Sequence, residues 1–90
     1  MNFEYDPGKS ETNKAKHGID FEEAKQIWNG EYISIVPVTS HTESCLAAIG
    51  KLYNKIWTVV FTLRNGKIRI ISARRAREKE IAHYEQTKNN

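Results

Sequence analysis

The sequence predicts a single α+β domain over residues 1–90, with helices on one face of an antiparallel sheet and the element order β-α-α-β-β-β-β-α. Three observations carry that expectation. Four β-prone segments follow one another between residues 31 and 72, separated only by turn residues. Helix-compatible segments lie before and after this run, and none interrupts it. Asn65-Gly66 supplies the strongest short hairpin signal, because a type I′ turn needs positive φ at both central positions. Ninety residues suffice for one modest core.

At the N-terminus, NFEYD alternates Phe3 and Tyr5 as a short strand, and Asp6-Pro7-Gly8 ends it. GKSETNKAKHG is polar and helix-compatible, with Gly18 as its stop. In DFEEAKQIWNG, Asp20 and Glu23 have the spacing of a capping box, and Phe21, Ala24, Ile27 and Trp28 share one helical face. Asn29-Gly30 ends this second helix. EYISIVPV is rich in β-branched residues, and Pro37 assigns it to an edge or a strand end. SHTES reads as a loop, CLAAIGKL as a strand and YNK as a turn. IWTVVFTL is apolar almost throughout, as a central strand is. KIRIIS returns from Asn65-Gly66. From about Ala73 to Glu85 the chain is helix-compatible, with a thin apolar stripe of Ala76, Ile81 and Tyr84 before a frayed TKNN tail. Both tryptophans read as core.

A two-residue loop fixes the register of the last hairpin. Arg64 then faces Lys67, Leu63 faces Ile68, Thr62 faces Arg69, Phe61 faces Ile70 and Val60 faces Ile71. Alternation puts Trp57, Val59, Phe61, Leu63, Ile68 and Ile70 on the core face. Thr58, Val60, Thr62, Arg64, Lys67, Arg69 and Ile71 fall on the open face. Like charges directly opposite, as at Arg64 and Lys67, repel, and an anion between them removes that cost.

The net charge of +3 is unevenly spread. Residues 64–79 hold seven Lys/Arg and one acid, so this segment carries +6 and the remainder −3. Such a stripe is the electrostatic footprint of an anion-binding face, with a solvated basic surface as the plain alternative. No run approaches the ~18 apolar residues of a membrane helix. The start MNFEYDPGKS lacks the basic and apolar regions of a signal peptide, so a cytoplasmic protein is expected. The lone Cys45 forms no internal disulfide, which fits a reducing compartment. His41 and Cys45 have ligand-like spacing, but one irregular pair falls short of a zinc site, and neither a metal nor a cofactor is expected.

The segments FEYDPGKS, KHGIDFEEA (Lys16–Ala24), AIGKL (Ala48–Leu52), IWTVVFT (Ile56–Thr62) and KIRIISARRAREKE followed by YE together resemble the BrnT toxins of bacterial type II toxin–antitoxin systems. The resemblance covers nearly the whole chain, and the pairing of KHG-x-x-FEEA with RIISAR-R is its specific part. It implies a RelE-like fold with a curved antiparallel sheet, and a ribonuclease that blocks translation. It also implies a BrnA-type ribbon-helix-helix antitoxin, a heterotetramer with that antitoxin, and operator DNA contacted only through it. Family members often carry a basic residue where this chain has Cys45, and a leucine where it has Lys14. A Cys45 that replaces an active-face arginine would weaken activity.

Metal-independent RNA cleavage needs an aligned ribose 2′-OH, a base for its proton, and cations for the charge that builds on phosphate. Arginine suits the last task because its planar fork contacts phosphate through two donors. Arg64, Arg69 and Arg74 are the expected catalytic cations, with Lys67, Arg75, Arg77 and His17 as RNA-binding residues. Only one of Arg74 and Arg75 is expected to face RNA, the other pairing with an acid such as Glu22 or Glu23. Acid–base candidates are His17, Lys51, Glu80, His83 and Tyr84. The preference of RelE-like enzymes for Lys, Arg and Tyr favours Lys51 and Tyr84. Two other functions fit the same charges: a non-catalytic RNA- or DNA-binding module, and a subunit that captures an acidic partner.

Overall fold

A computed structural model describes residues 2–38 and 44–90. The elements are β1 (Phe3–Glu4), α1 (Pro7–His17), α2 (Phe21–Ala24) continued by a 3-10 turn (Lys25–Asn29), β2 (Ile33–Val38), β3 (Cys45–Leu52), β4 (Lys55–Arg64), β5 (Lys67–Arg75) and α3 (Glu78–Asn89). The strands form one sheet in the order β1-β5-β4-β3-β2. The apolar IWTVVFTL segment is its central strand, and β2, with Pro37, is an edge. SHTES lies largely outside the described residues, and His41 with it.

Local chemistry sets the element ends. Asp6 caps α1, its carboxylate accepting from Gly8 N and Lys9 N, with Pro7 in the first turn. Gly18 ends α1 at φ 92°, a left-handed conformation that a side chain disfavours. The Asp20–Glu23 capping box is present in both directions. Asn65 and Gly66 have φ of 52° and 76°, as a type I′ turn requires. Tyr53 and Asn54 make the β3–β4 turn with φ of 53° and 63°.

The main core joins Ile19, Phe21, Ala24 and Ile27 to Ala48, Leu52, Trp57, Val59, Phe61, Ile68, Ile70 and Ala73. Trp57 is buried and Trp28 packs edge-on against Phe61. α1 contributes no apolar stripe to this core. Its buried residues are Ser10 and Asn13, and hydrogen bonds hold the helix in place. Ser10 Oγ accepts from Phe21 N at 2.9 Å. The Asn13 amide donates to Ile19 O and Ala73 O at 2.8 Å, while its oxygen accepts from Ala73 N at 3.1 Å. Asn13 thus pairs with β5 much as a strand backbone would.

The structure corrects several expectations. The sheet is mixed, because β1 pairs parallel with β5, Ile68 N donating to Asn2 O at 2.8 Å. Helices cover both faces. Thr58 alternates with the core residues Trp57 and Val59, is fully buried, and lies against Glu80 of α3, so α3 sits on the face opposite the main core. The register holds from Arg64–Lys67 to Phe61–Ile70, then shifts: Val60 pairs with Ser72, and Ile71 is the extra residue of a β-bulge. Leu63 is 65% exposed, since the hairpin tip projects past the helices. Ala73–Arg75 are strand, because the ladder continues through Thr58–Arg74 and Trp57–Arg75. The last helix therefore starts at Glu78 and runs through the supposedly frayed tail to Asn89. Of its apolar stripe only Tyr84 is buried; Ile81 is exposed.

Candidate nucleic-acid interface

Two adjoining pockets open between α1 and the β4–β5 hairpin. The first, about 280 Å³, is lined by Lys9, Thr62, Leu63, Arg64, Arg69 and Ile71. The second, about 230 Å³, is lined by Lys9, Thr12, Asn13, Lys16, His17, Ile71 and Ser72. Lys9 and Ile71 belong to both, so the pockets form one groove along β5. Cross-strand register explains why Arg69 and Arg64 meet there: Thr62 lies opposite Arg69, and Arg64 stands two residues on along the same face. Asn13 explains the opposite wall, since its bonds to Ala73 fix α1 beside β5.

The groove is cationic with few counter-charges. Its nearest ion pair is Arg69 Nη1 to Glu4 Oε2 at 3.9 Å, a loose contact. Among the described residues, Lys9, Lys16, Arg64 and Lys67 form no ion pair. Lys67 is exposed at the tip, opposite Arg64. Lys9 and Lys16 were not expected here. Their sequence signal is faint: in a polar helix, lysines read as solvated, and only the packing of α1 against β5 sets Lys9 beside Arg69 and Lys16 farther along the same groove.

A second group of expected site residues gathers near α3. Arg74 makes two bonds to Glu80, Nη1 to Oε1 and Nη2 to Oε2, each 2.8 Å. Glu80 Oε1 also accepts from Arg77 N at 2.7 Å, which anchors the first turn of α3. Arg74 chiefly holds the Glu80 carboxyl down to about 2; partial burial opposes it and the Arg77 N–H assists. Thr58 Oγ1 lies near Glu80 but is buried without a hydrogen bond of good geometry, so its own effect is small. Arg75 lies over the Trp57 ring at 5.7 Å. One of the two arginines does pair with an acid, but Arg74 takes Glu80, and neither Arg74 nor Arg75 pairs with Glu22 or Glu23. Those carboxylates are occupied: Glu22 by Lys25 and Tyr5, Glu23 by Lys14 and Tyr53. The Tyr5 hydroxyl, donating to Glu22, is pushed up to about 12.

Lys51 and Tyr84 share a cleft of about 380 Å³ with Tyr32, Tyr53 and Lys88. That cleft is remote from Arg69. Lys51 lies opposite Ile56 and Arg69 opposite Thr62, six residues apart on β4, about 20 Å at ~3.3 Å per residue. No single phosphate spans that distance. The expected cations and acid–base residues thus fall into two sets, with Arg64, Arg69 and His17 on one groove and Lys51 and Tyr84 on another. Arg74 lies between them, opposite Thr58. His83 is exposed on α3. Cys45 is buried at the start of β3, one step beyond the Leu46–Phe61 pair and so beside Thr62. An arginine there would emerge on the open face near Arg69.

No helix of the described residues is long and apolar enough to cross a membrane. A family model described as "Ribonuclease toxin, BrnT, of type II toxin-antitoxin system" matches residues 5–80. The matched span contains every residue of the α1–hairpin groove and stops before Tyr84. No curated protein matches the chain.

Proposed function

The chain belongs to the BrnT family of ribonuclease toxins of type II toxin–antitoxin systems, and from that premise we propose that it is a metal-independent endoribonuclease whose RNA site is the groove between α1 and the β4–β5 hairpin. The observation that carries this reading is the meeting of Lys9, Arg64 and Arg69 with Lys16 and His17 along one groove. Arg69 and Arg64 receive the phosphate to be cleaved, and the pentavalent charge is spread over their guanidinium donors. The ribose 2′-OH attacks the adjacent phosphorus, the bond to the 5′ oxygen breaks, and a 2′,3′-cyclic phosphate forms. His17, the histidine on this groove, accepts the 2′-OH proton, and the departing 5′ oxygen takes a proton from solvent. Lys67 extends the positive surface at the hairpin tip for flanking phosphates, while Arg75, over Trp57 on the other sheet face, and Arg77, at the start of α3, stand away from the groove. Arg74 belongs with Glu80 as a brace for α3, and Lys51 and Tyr84 stand apart from the scissile bond.

In the cell this activity blocks translation in the cytoplasm. A BrnA-type ribbon-helix-helix antitoxin neutralises it in a heterotetramer and supplies all contact with operator DNA. The helix-flanked sheet is compatible with a RelE-like fold. The test is cleavage of total RNA by the purified chain in excess EDTA, beside Arg69→Ala of equal thermal stability. Cleavage by the first alone supports the reading. Equal cleavage by both moves the site elsewhere, and binding without cleavage favours the simple RNA-binding module.

A further inference from the structure

The groove has an apolar point at its centre that phosphate recognition leaves unexplained. Ile71 is the extra residue of the β5 bulge, without a partner on β4, and it lines both pockets. It is half-buried, while Ile70 before it and Ala73 two residues after it are committed to the core. A regular strand would have paired Ile71 with Val60; the bulge turns it toward α1 instead. On one side of it stand Arg64 and Arg69, on the other Lys16 and His17, and Lys9 borders both. Cation, apolar surface, cation is the order of phosphate, nucleoside, phosphate along an RNA strand.

We propose that Ile71 is a nucleoside seat: the groove takes two consecutive phosphates of single-stranded RNA, one in each pocket, and the nucleoside between them rests on the Ile71 side chain. This rests on the ribonuclease reading of the same groove. The seat sets the nucleoside's ribose between the Arg64–Arg69 pocket and His17, where its 2′-OH has a phosphate on one side and a proton acceptor on the other. It selects for an unpaired strand, because a base inside a duplex presents no free face to an aliphatic side chain. Discrimination among bases is weak at such a contact, which lacks directed hydrogen bonds.

The experiment compares a short single-stranded oligoribonucleotide with inorganic polyphosphate, which has the charges but no nucleosides. Affinities of both are measured for wild type, Ile71→Ala and Ile71→Val, with RNA cleavage followed in parallel. The seat predicts that Ile71→Ala weakens RNA about 5- to 10-fold, leaves polyphosphate within about 2-fold, and is largely rescued by Ile71→Val. Equal weakening of both ligands, or of neither, overturns the seat while wild-type cleavage leaves the ribonuclease reading standing. A wild type that holds polyphosphate but neither binds nor cuts RNA overturns both.

Discussion

Arg69 and Arg74 leave the same strand on the same sheet face, yet their surroundings differ. Near Arg69, at the hairpin end, Lys9 and Arg64 have no ion partner among the described residues, and the one carboxylate, Glu4, stands 3.9 Å away. At the α3 end, Arg74 is bound through both guanidinium nitrogens to Glu80, and Arg75 covers Trp57. Cations beside an open groove wait for an anion from outside. Cations with a carboxylate at 2.8 Å already have theirs, and withdrawing one from it costs about 1.5–3 kcal/mol for its charge-assisted bonds. A basic run in a sequence therefore contains two kinds of residue, and the nearest acid tells them apart.

The largest test of that contrast is Arg69→Ala against Lys51→Ala. Loss of one positioned charge donor is expected to lower RNA cleavage about 100-fold or more for Arg69, with Lys51→Ala staying within about 3-fold. The reverse ranking, measured as kcat/KM on one RNA, would relocate the chemistry to the α3 cleft. The next effect is on stability. Asn13→Ala leaves the buried Ala73 N–H and the Ala73 and Ile19 carbonyls without their partner, and should cost about 2–4 kcal/mol in urea unfolding. If instead it costs under about 0.5 kcal/mol, α1 is not held to β5 by this amide, and the groove's second wall is not fixed.

A smaller effect belongs to acid pH. The Glu80 carboxyl is held to about 2, below its usual 4.5, so the folded state favours the ionised form. Its stabilisation is complete above about pH 4.5 and is lost as pH falls through about 2. Solvent partly screens this pair, whose side chains keep some exposure, which leaves about 1–2 kcal/mol to lose. Glu23, held to about 2 chiefly by Lys14, adds in the same direction. Thermal unfolding of Glu80→Gln should fall less steeply than that of wild type between pH 4.5 and 2; parallel curves would show that Arg74–Glu80 contributes nothing.

Much of the fold was legible because its signals are local. Asp20 and Glu23 cap a helix through atoms three residues apart, and Asn65-Gly66 dictates a turn and four cross-strand pairs through its own φ angles. The bulge at Ile71 was not legible, since KIRIIS alternates as well in register as out of it. Nor was the start of α3, because the helix-compatible Ala73–Arg75 are claimed by the β4 ladder. At the site, Arg64 and Arg69 followed from hairpin register alone. The separation of Lys51 from Arg69 depended on how β3 pairs with β4, and the joining of Lys9 and Lys16 to the groove depended on one buried amide.

The sequence by itself determined the order of the elements, the hairpin register near Asn65-Gly66, the family and the basic stripe, all carried by interactions spanning a few residues or by composition. Tertiary structure alone decided which cations share one groove. That choice depends on residues distant along the chain, such as Asn13 with Ala73, arriving within 3 Å of each other once the sheet and helices have packed.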